Sequence, residues 1–333
     1  MANSTASCRF EFLLRSESII FRSSLFAANS LTAISTMILN SLILLSIWNT
    51  PSLRKPSHIL IANLALADFL LGAVGQPLIV LKDILFILKR DKWFDAVCSI
   101  AAVGKTLTYW LGSVSAFTLT VISIDRFLAI KLKVSYANQV TTKRVSAVLF
   151  LWWIISGISS FYFFLLSELK LKTLIALFCT AMACGLSITT TSYYKATKLL
   201  RELVSQIVPE GSNEQTSKNS TFNVSKYKKS LKTMILVLIT VMAFYTPYFI
   251  ALVVRVAFSN EIDDDVFIYH VLVWAEFLLF ANSTINPVLY LWRMRDLRKA
   301  VKSFLRTVIR KERNSGLTEL TVSSNRSNVV GVC

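Results

Sequence analysis

Seven stretches of this chain are each long and apolar enough to cross a lipid bilayer, and that count limits the possible folds more than any other feature. A spanning helix needs roughly 20 mostly apolar residues. The windows at about 25–48, 57–82, 96–130, 144–166, 171–195, 230–256 and 266–291 qualify. Backbone N–H and C=O groups must pair internally in hydrocarbon, so each window is predicted to be a helix. The fold class that follows is all-α, an integral membrane bundle of seven helices. The third window is long enough to tilt and to project at its inner end. Turn and breaker residues separate the windows: Asn49-Thr50-Pro51 with Pro56, Lys89-Arg90-Asp91-Lys92, and Asp263-Asp264-Asp265. Composition agrees, since 54% hydrophobic against 17% charged residues is too apolar for one globular core.

Charge placement orients the bundle. Most of the 36 lysines and arginines fall in the short segments after the first, third and fifth windows and in the C-terminal tail. The positive-inside rule then puts the N-terminus outside and the C-terminus in the cytoplasm, as an odd number of crossings requires. The net charge of +17 is spread between apolar runs rather than gathered on one soluble face, so nucleic acid is not an expected partner. Residues 1–24 read as an extracellular N-terminus without a signal peptide, because Arg9, Glu11, Arg15, Glu17 and Arg22 interrupt any apolar core. Asn3-Ser4-Thr5 is a glycosylation sequon there. Residues 25–292 form the seven-helix domain. Basic and apolar positions alternate at helical spacing over 293–306, which reads as an amphipathic helix lying on membrane lipids. Residues 307–333 read as a flexible cytoplasmic tail, and the polar middle of the inner loop at about 196–229 as disordered.

Ionisable and amide side chains at bilayer depth are costly and mark function by default. Asp68 lies within Asn63-Leu64-Ala65-Leu66-Ala67-Asp68-Phe69-Leu70, Asn40 midway along the first window, and Asn286-Pro287 deep in the last. A cluster between the first, second, third and seventh helices, with Ser115 contributing, lets these groups satisfy one another. Structural glue and a functional role are both open, and compatible. Arg126, in Ile124-Asp125-Arg126-Phe127, stands at the inner end of the third window. Its neighbouring carboxylate can hold the guanidinium until a partner releases it; an ordinary snorkelling anchor is the alternative.

These residues together resemble the rhodopsin-like G protein-coupled receptors, from about residue 25 to 305. The resemblance is carried by Asn40, the Asn63-to-Asp68 run, Asp125-Arg126-Phe127, Trp153, Pro247 and Asn286-Pro287-Val288-Leu289-Tyr290, in order on successive helices. It implies a receptor that senses an extracellular ligand at the plasma membrane and activates a heterotrimeric G protein, with arrestin and receptor kinases as further partners. Asp125, Arg126, Asn286, Pro287 and Tyr290 match the family's switch, with Tyr194 or its neighbour Tyr193 on the fifth helix. Asp68, Ser115, Asn282, Ser283 and Asn286 match its allosteric sodium site; no other cofactor is implied. Oxygen-rich sites of this kind suit a hard cation.

Several positions depart from the family pattern. Tyr245 stands where a tryptophan is usual two residues before Pro247, and Tyr227 stands near the place of a helix 6 acid that often restrains the arginine. Basal activity is therefore expected. Ala101 replaces the cysteine that ties the third helix to the second outer loop, a loop reduced here to a few residues around Ser167-Glu168-Leu169-Lys170. Cys98, three residues earlier, pairs with Cys8 or stays free. Such a short loop is similar to that of the melanocortin, cannabinoid, lysophospholipid and adenosine-type receptors.

The ligand cavity is expected between helices 3, 5, 6 and 7 near the outer face. Candidate contacts are Lys105, Thr108, Tyr109 and Gly112 on the third helix, Tyr245 on the sixth, and Glu276 and Phe280 on the seventh. Amine receptors of the family carry aspartate where Thr108 stands, which disfavours an aminergic ligand. Phe280 stands at the opsin lysine position, which excludes a conventional opsin. Lys105 and Glu276 either pair with each other or meet opposite charges on a peptide or zwitterion. Rival classes lack their signatures: a transporter needs a continuous polar path, and an enzyme needs a catalytic constellation beyond His58 and His270. A non-signalling scavenger relative stays open.

Overall fold

The computed structural model describes residues 19–88, 94–165, 168–207, 236, 239–240, 242–254 and 266–310. Helix α1 spans Ile19–Trp48. Helix α2 runs as Pro56–Leu70 and Gln76–Ile87, joined through a π turn at Leu71–Gly75. Helix α3 is Phe94–Leu132, α4 is Thr142–Leu165 and α5 is Glu168–Ile207. The longest described stretch of α6 is Met242–Val254, and α7 is Val266–Arg293. A final helix, α8, covers 295–310. Among the described residues there is no strand, and five helices are long and apolar enough to cross a membrane. Helical backbone covers the fifth expected window; part of the sixth lies outside the described residues.

Helix α3 is the hub. At 39 residues it extends roughly 58 Å, about twice the hydrocarbon thickness, and it packs against α2, α4 and α5. On the far side, α1 packs against α2 and α7. The polarity is inverted relative to a soluble bundle. Phe150, Leu151, Ile155 and Ile158 of α4 face outward, while Asn40, Asp68, Gln76, Thr118, Asn282 and Asn286 are fully buried. Lipid solvates the first group, and only neighbouring helices can solvate the second.

Several boundaries differ from expectation. Helix α1 begins at Ile19, so its first turns reach above the predicted window. Helix α5 continues through Ile207, which makes the start of the expected loop helical; the rest of that loop lies outside the described residues. Glu168–Lys170 already belong to α5, leaving only 166–167 between α4 and α5. Cys98 is buried and disulfide-bonded, which removes the free-thiol alternative, whereas Cys179 and Cys184 are free. The partner of Cys98 lies outside the described residues, as do Cys8, Asn3 and Tyr227. Close approach sets two glycines. A Cβ on Gly157 would meet the Trp110 indole at 3.2 Å, and one on Gly72 the Ala33 carbonyl oxygen at 3.0 Å.

Candidate functional site

Asp68 occupies the centre of a buried cluster where α2, α3 and α7 meet. Its Oδ1 accepts from the hydroxyls of Ser115 at 3.0 Å and Ser283 at 2.8 Å, and its Oδ2 accepts from the Asn286 amide at 3.2 Å. Three donors satisfy a carboxylate that lipid would leave bare. Asn282, beside them, is fully buried with neither amide atom bonded among the described residues. Asn40 contributes indirectly. Pro287 interrupts α7 and lacks the N–H that would bond the carbonyl four residues back, that of Ser283. The Asn40 amide donates to that Ser283 carbonyl at 3.1 Å, and to the Thr36 carbonyl at 2.9 Å. So Asn40 repairs the backbone that Pro287 breaks, beside the serine that holds Asp68.

A second network ties α2, α3 and α4. The Trp153 indole donates to Asn63 Oδ1 at 2.9 Å, the Asn63 amide donates to the Thr118 hydroxyl at 2.8 Å, and Thr118 donates to the Val114 carbonyl. The Trp110 indole N–H reaches the Trp153 carbonyl at 3.1 Å in the space that Gly157 leaves.

At the inner mouth, Arg126 contacts Asp125 Oδ2 at 3.1 Å. This is a charge contact rather than an aligned hydrogen bond, since that oxygen has no hydrogen-bond partner among the described residues. The Tyr136 hydroxyl, on the short helix Tyr136–Gln139, donates to the other oxygen, Oδ1. Burial and then the Asp125 carboxylate push the Tyr136 hydroxyl well above its usual titration range. Asp125 is therefore held from two sides, while the Arg126 side chain keeps 26% of its surface open. Tyr193 is buried and within electrostatic reach of Arg126, whereas Tyr194 is 69% exposed. Successive residues of a helix differ by about 100° in direction, so only one of the pair can face inward. Of the two expected candidates, Tyr193 is the one that faces the bundle on the side of Arg126. Tyr290 is buried, its hydroxyl has no partner among the described residues, and it lies within reach of Asp68, Tyr193 and Tyr245. It thus stands between the deep cluster and the inner mouth.

In the outer half a cavity opens among α1, α2, α3, α6 and α7. Lys105 and Tyr109 of α3, and Glu276 and Phe280 of α7, line it as expected. Three expected contacts do not. The Thr108 hydroxyl is spent on the Gly104 carbonyl of its own helix at 2.9 Å. Gly112 faces open space outside the lining. Tyr245 packs in the central core with Leu64, Leu119 and Tyr290, below the cavity. Its place is taken by Tyr248, whose hydroxyl donates to that of Tyr109 at 3.1 Å. Lys82 and Asp83 of α2, 3.5 Å apart, and Phe21 of α1 were not anticipated as lining.

The family described as "7 transmembrane receptor (rhodopsin family)" matches residues 39–290. The chain belongs to that family. Similar proteins include trace amine-associated receptor 7d of Mus musculus, 24% identical over 305 residues, with 84% of this chain and 81% of the relative covered. Trace amine-associated receptor 1 of Macaca mulatta is 25% identical over 312 residues, covering 85% and 88%. Trace amine-associated receptor 9 of Homo sapiens is 25% identical over 305 residues, covering 84% of each. As a member of the rhodopsin family, this seven-helix protein is a multi-pass plasma-membrane receptor. It senses an extracellular ligand and activates a heterotrimeric G protein, and it is not an enzyme.

Proposed function

We propose that the receptor binds its ligand in the cavity between α1, α2, α3, α6 and α7, and that occupancy releases Arg126 toward the G protein. The single observation that carries this is the position of Arg126. It is partly exposed, in contact with Asp125 and within reach of Tyr193, with Tyr290 standing between it and the Asp68 cluster. In this reading Asn286 and Pro287 are the flexible part of α7, and Tyr290 moves with them. The N-terminus is extracellular and carries a glycan at Asn3, and the C-terminus is cytoplasmic. The tail, rich in serine and threonine, serves receptor kinases and arrestin.

Asp68 with Ser115, Asn282, Ser283 and Asn286 is proposed to hold a sodium ion. The fit is supported by a buried carboxylate, two hydroxyls and the unpartnered Asn282 amide. A monovalent cation there compensates the Asp68 charge.

Two observations on subgroup pull apart. The relatives are trace amine-associated receptors by name, while the short link between α4 and α5 is similar to that of the melanocortin and cannabinoid groups. Neither decides ligand chemistry as directly as the cavity lining does. Comparing second-messenger output with an Arg126→Ala control tests the switch. Wild-type output above the control at equal surface expression is expected, and equal output with and without agonist points to the scavenger alternative.

A further inference from the structure

We propose that Tyr245 is a positioning residue for the cation site at Asp68: its phenol oxygen accepts from the Asn282 amide nitrogen and so leaves the Asn282 oxygen for the ion. This rests on the reading of the Asp68 cluster as a sodium site. It joins α6 to a cluster whose bonds to Asp68 come from α3 and α7.

Asn282 is the group in that cluster whose bonding is incomplete. It is fully buried, and neither its oxygen nor its nitrogen has a hydrogen-bond partner among the described residues. It stands on α7 directly before Ser283 and one turn before Asn286, both of which bond Asp68. A buried amide with both ends bare is costly, so each end calls for a partner. The oxygen is an acceptor that suits a hard cation. The nitrogen carries two donors and needs an acceptor of its own.

Tyr245 supplies that acceptor. It is buried in the central core with Leu64, Leu119 and Tyr290. Its hydroxyl lies beside the Asn282 amide and within electrostatic reach of Asp68. No aligned hydrogen bond joins the phenol and the amide as they stand. The terminal torsion of an asparagine is soft, so a small turn of the amide makes the bond and keeps its oxygen off the phenol. The other members of the site already suit an ion. Ser115 and Ser283 donate to Asp68 Oδ1, and a hydroxyl that donates still has lone pairs to offer.

Residue type at position 245 sets the direction of the bond. A tyrosine hydroxyl both accepts and donates, a phenylalanine ring has neither group, and a tryptophan indole only donates. An indole in this place claims the Asn282 oxygen and withdraws it from the ion. Sodium affinity therefore ranks tyrosine above both replacements. Packing alone gives no such ranking, since phenylalanine differs from tyrosine by one hydroxyl.

The test is thermal unfolding of the purified full chain in nanodiscs, as sodium chloride replaces choline chloride at constant ionic strength. The melting temperature of wild type should rise with sodium to a plateau. Tyr245→Phe and Tyr245→Trp should each need about five- to tenfold more sodium to reach the half-way point, the worth of one hydrogen bond to a buried polar group. Asn282→Ala should need as much, and adding Tyr245→Phe to it should change the sodium requirement no further. Superposed curves for wild type and Tyr245→Phe overturn the assignment and leave the sodium site standing. Additive shifts in the double variant also overturn it, because Tyr245 then acts independently of Asn282. A wild-type melting temperature indifferent to sodium overturns the sodium reading itself, and this assignment with it.

Discussion

The inner and outer halves of the bundle hold their polar residues in opposite ways. In the inner half, neutral donors close on one carboxylate, as Ser115, Ser283 and Asn286 do on Asp68, or chain from helix to helix, as Trp153, Asn63 and Thr118 do. In the outer half, charges of both signs surround a space. The first arrangement ties helices into a unit whose rearrangement costs several bonds at once, which suits a relay between two states. The second leaves charged groups where a guest can meet them, which suits recognition. Helix α7 belongs to both, with Glu276 above and Asn286 and Tyr290 below, so a ligand that pulls on Glu276 acts on the segment that Pro287 has already weakened.

The sharpest way to break this contrast is at the inner mouth. Arg126→Ala should lower agonist-stimulated nucleotide exchange by about 10- to 100-fold, the worth of lost charge-assisted hydrogen bonds to the partner, without lowering surface expression. Asp68→Ala should come next, in stability rather than output. It strands Ser115, Ser283 and Asn286 in the core and should cost about 2–4 kcal/mol in thermal unfolding, with Asp68→Asn costing less because it keeps an acceptor. Trp153→Phe leaves Asn63 Oδ1 without its donor and should cost about 1–2 kcal/mol. Replacing sodium by choline should lower the melting temperature of wild type by the equivalent of about 1 kcal/mol, a difference that Asp68→Asn abolishes; an equal melting temperature in both salts sinks the cation site. The smallest effect belongs to the outer half. Thr108→Val removes a hydroxyl that, among the described residues, bonds to the Gly104 carbonyl of its own helix, so ligand potency should stay within about twofold. A larger change would place Thr108 in the ligand site after all and weaken the case that α3 contributes Lys105 instead.

Much of the inner half was legible because its residues are rare where they stand. Asp68, Asn40 and Asn286 are conspicuous within apolar windows, since nothing but a partner inside the bundle can offset their desolvation. The outer half hid its parts. Lys82 and Asp83 fall at the end of a window, where charges ordinarily mark the exit to water, and Phe21 lies before the predicted start of α1. Tyr245 and Tyr248 are both aromatic and lie close together around Pro247, yet one is core and the other lines the cavity. Adjacent Tyr193 and Tyr194 posed the same problem, and burial separated them.

Resemblance to the rhodopsin-like receptors marked Arg126 with Asp125 as the inner switch, while the sequence by itself determined that this chain is a seven-helix membrane bundle and that Asp68 needs company inside it. Those conclusions depend on residue type and spacing along the chain, and hydrocarbon leaves few alternatives for either. Only the tertiary structure decided that Tyr193 and not Tyr194 faces Arg126, that Asn40 caps the carbonyl freed by Pro287, that Tyr136 clamps Asp125, and that two lysines and two carboxylates share one cavity. Each of these depends on the rotation of one helix against another. Side-chain packing sets that rotation, and a linear pattern of polar and apolar residues leaves it undetermined by a third of a turn or more.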